Sequence, residues 1–519
     1  MAAATLVVGA AFVLSRLLGL VRDQLIAAHF GVTDALDTYN AAFRVPDTLF
    51  ALVIGGAVGS AFIPVFSGLL EQRKMAAAWR LTSTLINASV VLLALGGILL
   101  ALLAPSLVAL VIAPGFPPDK QARTVELTRI MLLSPLFLGL GGWAQGILNA
   151  RHNFTASALA PIAYNGGIIV GVLFLAPRWD VQGLAAGVVL GALLHFLVQV
   201  PSLIRTGMHY QPLHLDLHDE GAGQVGRLVL PRIVGQAAFQ ANIVVTTAIA
   251  STLPGGDLSA FNYAYLLLML PYGVIAMSLA TVLFPHMTAQ VGRGDLAAMQ
   301  RTLSNGLRTV LFLLLPAAVS LGFMRREIVG LLFQFGKFHQ GSTELVARAL
   351  EWFAWGLLAY GVAEILTRAY YALQDTRTPV VVSFVTVLLN LGMSWFLVHQ
   401  LGADHSGLAF SLSFTTTLEM IGLLLFLRPR LPGLFDRPFL RAVGVGGLGA
   451  ALMAAALWLL VPWLELNVWA YPNDPVGQKV ATAIQLAVGG GVGLGLYLLV
   501  ARLFRAEELG AVVRLLRRR

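Results

Sequence analysis

The run SRLLGLVRDQL, residues 15–25, places Arg16, Arg22 and Asp23 inside the first apolar stretch of the chain. A guanidinium is a planar fork of N–H donors that matches phosphate oxygens in pairs, so two arginines withdrawn from water can hold an anion. Asp23 would then fix one of them in place. The plainer alternative is an internal Arg–Asp pair that only packs helices. Depth argues against accident for Arg16, because an arginine at the centre of a membrane helix costs at least about 2.5–3.5 kcal/mol on insertion scales. A straight helix from Ala2 would instead carry Arg22 to the outer interface, where a snorkelling arginine is unremarkable. Arg16 and Asp23, seven residues apart, share a helix face, whereas Arg22 points about 120° away unless Gly19 permits a bend.

The next segment, TDALDTYNAAFRVPD, adds Asp37 and Arg44, again on one face and just ahead of a proline kink at Pro46. These two either extend the same polar wall or pair with Arg16 and Arg22. Thr33 or Asp34 reads as the helix N-cap. Asp34 and Asp37 also form the short carboxylate cluster that a Mg²⁺-dependent prenyl-phosphate transferase would want. Further on, LPRIVGQAAFQANIVVTTAIAS carries Arg232 and then the neutral groups Gln236, Gln240, Asn242, Thr246 and Thr247, which can line a site or stitch helices together. Glu364 and Arg368 read as an internal i,i+4 ion pair. In HYQPLHLDLHDE, His209, His214 and His218 with Asp216, Asp219 and Glu220 could ligate a metal, but a solvated polar loop has the same composition.

Such groups need a scaffold that keeps them from water. The chain has 519 residues, 58% hydrophobic and 11% charged, with a mean hydropathy of +0.80, which excludes an ordinary water-soluble globule. Apolar stretches of the ~20 residues needed to span a bilayer recur from Ala2 to Leu503. They predict an all-α polytopic membrane protein with about fourteen transmembrane helices. The first segment lacks the cationic region of a secretory signal and is expected to remain as a helix. The absence of cysteine excludes disulfides and thiolate metal sites, and no Walker phosphate loop points to ATP hydrolysis.

The net charge of +9 is first a topology signal. Arg73, Lys74, Arg80, Arg151 and Arg205 mark the side that also holds both termini, so that side is expected to be cytoplasmic. Nucleic acid is not an expected partner. The tail RLFRAEELGAVVRLLRRR reads as a basic amphipathic helix lying on anionic membrane lipids, or as a topology anchor. Sliding the chain so that Pro64 meets Pro285 also brings Arg80 onto Arg301 and Gly115 onto Gly336. This weak repeat predicts two parallel six-helix lobes around a central cavity, as in transporters that rock about a fixed site. The expected boundaries are an N-lobe over 1–205, a cytoplasmic linker over 206–223, a C-lobe over 224–430, and two further helices with the tail over 431–519.

The stretches SRLLGLVRDQLIAAHFG, DTYNAAFRVP, AFIPVF, APGF, GILNARHNFTASALAP, LFQFGKF and YYALQDTRTPV resemble, in order, the signature stretches of the MurJ (MviN) lipid II flippase family. That family lies within the multidrug/oligosaccharidyl-lipid/polysaccharide exporter superfamily. The resemblance implies fourteen helices, the last two forming a groove for a lipid tail. It further implies outward flipping of an undecaprenyl-pyrophosphate-linked peptidoglycan precursor by alternating access, dependent on membrane potential. It places the family's substrate-binding residues on Arg16, Arg22, Asp23, Asp37 and Arg44, and its cation site on Thr246, Asn390 and Ser394. Where many members carry charged residues, this chain has Phe50, Ala51 and Gly55, and later Tyr265 and Leu266.

The reading that follows is a non-enzymatic flippase of the bacterial cytoplasmic (inner) membrane with no cofactor beyond a coupling ion or the membrane potential. Its partners would be lipid II or a related polyprenyl-pyrophosphate glycolipid, anionic lipids and cell-wall synthesis proteins. The alternatives are a flippase for another lipid-linked oligosaccharide, or a multidrug or cation antiporter, which should rely on acidic cavity residues instead.

Overall fold

The computed structural model describes residues 2–55, 58–216, 220–468 and 475–510, all helix, turn or loop without a strand among them. Ten of the described helices are long and apolar enough to cross a membrane. The chain divides into two compact units, residues 1–258 with 335–337, and residues 259–334 with 338–519.

The first unit contains α1 (Ala2–Phe30), α2 (Asp34–Val53), α3 (Ile63–Glu71), α4 (Met75–Leu107), α5 (Pro118–Met131) and α6 (Ser134–Ala150), followed by α7 (Phe154–Val170), α8 (Ala176–Leu197), α9 (Val200–Arg205) and α10 (Glu220–Ala250). α5 and α6 are separate helices, because Pro135 in the first turn of α6 cannot supply an N–H to a continuing ladder. Gly31, at φ 66°, ends α1 and returns its N–H to the Ala27 carbonyl.

Lipid-facing surface is plain on α4, where Leu92, Leu95, Leu99 and Leu102 are all more than half exposed. Inside, Phe62 stacks on Phe66 at 5.0 Å and meets Trp143 edge-on at 5.1 Å, so aromatic packing fixes α3 against α6. The α7–α8 contact relies on small residues instead. A Cβ on Gly187 would lie 2.6 Å from the Gly171 Cα, and one on Gly167 2.3 Å from the Gly191 Cα, so the two backbones touch.

Although the internal repeat assigns α10 to the second lobe, its C-terminal end is tied to the first unit. Gly115 N–H donates to the Ser251 hydroxyl at 3.0 Å, and Gly256 N–H to Asp37 Oδ2 at 2.7 Å.

The second unit contains α11 (Asp257–Pro271), α12 (Ser278–Gly292), α13 (Leu296–Phe323), α14 (Arg325–Phe333), α15 (Gln340–Ala372), α16 (Arg377–His399), α17 (His405–Leu427), α18 (Arg437–Val468) and α19 (Pro475–Leu503). α15 is the most enclosed span, buried over two-thirds of its most apolar window. Tyr497 on α19 donates to the Phe312 carbonyl on α13 at 2.8 Å, within a cluster that includes Met453 and Leu457 of α18. The last two long helices are thereby fixed to α13.

Candidate functional site

Arg16 lies midway along the 29-residue α1 with its residue surface exposed. Arg22 is held more tightly. Its Nε and Nη2 both donate to Asp23 Oδ1, at 2.9 and 2.8 Å, and its Nη1 donates to Asn165 Oδ1 on α7 at 3.0 Å. Asn165 is itself oriented by donating through Nδ2 to the Ser15 carbonyl at 3.3 Å. α1 packs against α7 here at ordinary contact distance, a Cβ on Gly19 standing 3.8 Å from the Asn165 amide. Asp23 therefore pairs with its chain neighbour, where the helical spacing put it on the face of Arg16. A long guanidinium stem can fold back across the helix surface, which spacing alone does not register.

Asp37 and Arg44, read from the sequence as one face, have separate partners. Asp37 is buried, with Oδ2 accepting from Lys120 at 3.2 Å and from Gly256 N–H at 2.7 Å. Lys120 is also buried. It bonds Asp34 at 2.7 Å and sits 4.0 Å from the Phe116 ring centroid. Both DALD carboxylates thus bond one ammonium, Asp34 from an exposed position and Asp37 from a buried one, and the buried Asp37–Lys120 pair is expensive to break from either side. Asp34 is not spent on capping, and the Thr33 hydroxyl donates to the Phe30 carbonyl without a side-chain cap bond of its own. Arg44 donates through Nε to the Thr247 hydroxyl of α10 at 3.2 Å.

Asn165, Thr247 and Lys120 are the partners sequence reasoning missed or read only as stitching. For Asn165 the available signal is an amide in mid-helix within IAYNGG, where a polar group needs a partner.

In the second unit Asn390 and Ser394 are buried together with Ser411, whose hydroxyl donates to Asn390 Oδ1 at 2.9 Å. Thr246 belongs to the first unit. Asn390, Ser394 and Ser411 thus gather neutral oxygens within the second unit. Glu364 and Arg368 form the expected ion pair at 2.8 Å, and Tyr272 donates to the same carboxylate at 3.1 Å. Among the described residues no group of three His, Cys, Asp or Glu could hold a metal. His218 and Asp219 of the polar loop lie outside the described residues, as do the side chain of Arg232 and the tail from residue 511 onward. The rest of that loop is held by its backbone, Asn87 on α4 donating to the Gln211 and His214 carbonyls at 3.1 and 2.8 Å.

Solved structures place the fold. The structure titled "Lipid II flippase MurJ, inward closed conformation" matches with a TM-score of 0.78 at 24% identity, covering 97% of this chain and 100% of that one. An inward-facing multidrug resistance MATE transporter of the MOP superfamily matches at 0.66 with 16% identity, covering 82% and 96%. In sequence, the chain is 32% identical over 498 residues to "Lipid II flippase MurJ" of Burkholderia cenocepacia, covering 93% of this chain and 95% of the relative. It is 31% identical over 513 residues to "Probable lipid II flippase MurJ" of Rhizobium meliloti, covering 95% and 92%. The family model "Lipid II flippase MurJ" matches residues 26–473, and the chain therefore belongs to the MurJ family.

Proposed function

We propose that this protein is a carrier, not an enzyme, that moves lipid II from the inner to the outer leaflet of the bacterial cytoplasmic membrane by alternating access, with both termini in the cytoplasm. Family membership and the names of relatives aligned over nine-tenths of the chain support the substrate class. The observation that carries the assignment to residues is the fixation of Arg22. With three of its five N–H groups spent on Asp23 and Asn165, one hydrogen on each terminal nitrogen is left for an incoming phosphate oxygen. Asp23 and Asn165 position the fork. Arg16 and Arg44 contribute further positive charge on α1 and α2, and Asp37 braces α2 through Lys120. The prenyl chain stays in lipid beside α18 and α19, while the sugar and peptide travel with the pyrophosphate. The membrane potential or a coupling cation supplies the driving force.

The test is lipid II exposed on the outer leaflet of cells depleted of their own flippase and supplied with this chain. Arg16→Ala and Arg22→Ala should each lower exposure at least about ten-fold, the loss of one charge-assisted phosphate contact, at unchanged membrane abundance. Arg22→Lys should recover only part, because an ammonium keeps the charge but not the fork. Wild-type exposure in both alanine variants would end the assignment.

A further inference from the structure

Where α18 begins and α19 ends, arginines from three parts of the second unit meet around a recess of about 200 Å³ lined by Arg308, Arg437, Arg441, Arg505, Glu507 and Glu508, with four smaller or apolar residues. Arg308 on α13 is occupied internally. Its side chain is only 10% exposed, its Nε donates to Glu508 at 2.6 Å, and its Nη2 donates to Glu507 at 2.7 Å. These bonds pin the segment after α19 against α13.

Beyond Leu503 the chain turns, with Arg505 at φ 50° and the Ala506 N–H returned to the Ala501 carbonyl at 2.8 Å. Arg441 on α18 donates to the Phe504 carbonyl at 2.8 Å, fixing the turn from its other side. The neighbouring Asp436 accepts from the Phe439 N–H at 2.9 Å as a helix cap. Arg437, Arg441 and Arg505 are all exposed at the rim. With Arg308 set against the two glutamates, the recess keeps a net positive charge even when Asp436 is included. Leu440 and Leu503, 60% and 69% exposed, and the exposed Val443 and Phe504 flank it.

We propose that this recess binds the phosphate of an anionic glycerophospholipid such as phosphatidylglycerol, whose acyl chains lie beside the first turns of α18 and the last turns of α19. Guanidinium groups match the phosphodiester oxygens. The apolar rim selects a lipid over free phosphate, which has no use for it. The recess uses other elements than the pyrophosphate arginines of α1 and α2, and its occupant would clamp α13, α18 and the chain end together at the membrane surface.

Native mass spectrometry of the full chain, offered equal amounts of phosphatidylglycerol and phosphatidylcholine, tests this. The wild type should retain phosphatidylglycerol in preference. The combined Arg437→Gln, Arg441→Gln, Arg505→Gln variant should bind its tightest phosphatidylglycerol roughly ten-fold more weakly, the scale of losing one to two charge-assisted contacts. If that variant does not fold, the exposed Arg437→Gln alone should still weaken binding about two-fold. Millimolar inorganic phosphate should leave the bound lipid in place. Equal retention of the two lipids, unchanged affinity in the variants, or displacement by inorganic phosphate would each overturn the proposal.

Discussion

Asp375 receives the N–H groups of Arg377 and Thr378 on one oxygen, each at 3.0 Å, and the Thr378 hydroxyl and Arg430 on the other at 2.7 and 2.6 Å. The donated Thr378 N–H, ahead of the hydroxyl and Arg430, draws its pKa down to about 2, against an ordinary value near 3.9. A carboxylate with a depressed folded-state pKa stabilises the fold above its unfolded pKa and loses that contribution as pH falls through the folded one. Asp375→Asn should therefore lower the melting temperature by a constant amount from pH 7 to about 4, and the gap from wild type should close toward pH 2. A gap independent of pH across that range would show that the ionised form contributes nothing. Asp375 lies in YALQDTRTP, a rather specific stretch of the family resemblance, and its work is to start α16. The sequence gives the residue away but not its role, because the helix start and Arg430 arrive from opposite ends of a loop and a helix pair. Arg22 is the reverse case. Its chemistry was legible from residue type, but its depth was not, since a straight helix would carry it to the interface, and its fixation depends on an asparagine 143 positions away.

At the scale of elements, hydropathy reads long spans well because a bilayer demands their length, and α16 and α17 are each one unbroken helix of 23 residues. It reads breaks poorly. Leu132 and Leu133, between α5 and α6, run without a polar break into the apolar α6, so only Pro135 marks the interruption. The α7–α8 seam is visible as glycines at 167, 171, 187 and 191, yet sequence alone cannot pair them across the contact. Gly187→Leu should separate the two helices, since its first carbon would meet backbone at 2.6 Å. Overpacking of this kind costs about 1–3 kcal/mol or more, and the melting midpoint in detergent should drop by several degrees, roughly as such a loss implies. Gly166→Ala on the facing helix α7, where an added carbon meets nothing within 4 Å, should leave the midpoint unchanged. Equal midpoints for the two variants would mean that the seam does not set stability.

For the whole molecule the relevant quantity is the charge that moves with the cargo. The proposed substrate brings a pyrophosphate anion to a site carrying Arg16, Arg22 and Arg44 against Asp23, while Asp37 is already matched by Lys120. Site and cargo are thus partly compensated when together, and the uncompensated remainder feels the membrane field as the carrier changes state. A potential positive on the receiving side works on each net negative charge carried outward by about 2.3 kcal/mol per 100 mV, at most roughly fifty-fold in rate if the full drop falls on one step. Proteoliposomes loaded with lipid II and given a valinomycin-set potassium potential should flip faster when the receiving side is positive, and slow when the gradient is collapsed. Removing Arg44 by substitution to glutamine should increase the net negative charge in transit and steepen the voltage dependence, even if it lowers the rate. Rates indifferent to voltage would mean that the loaded carrier crosses with no net charge, and the driving force would then have to come from a bound cation.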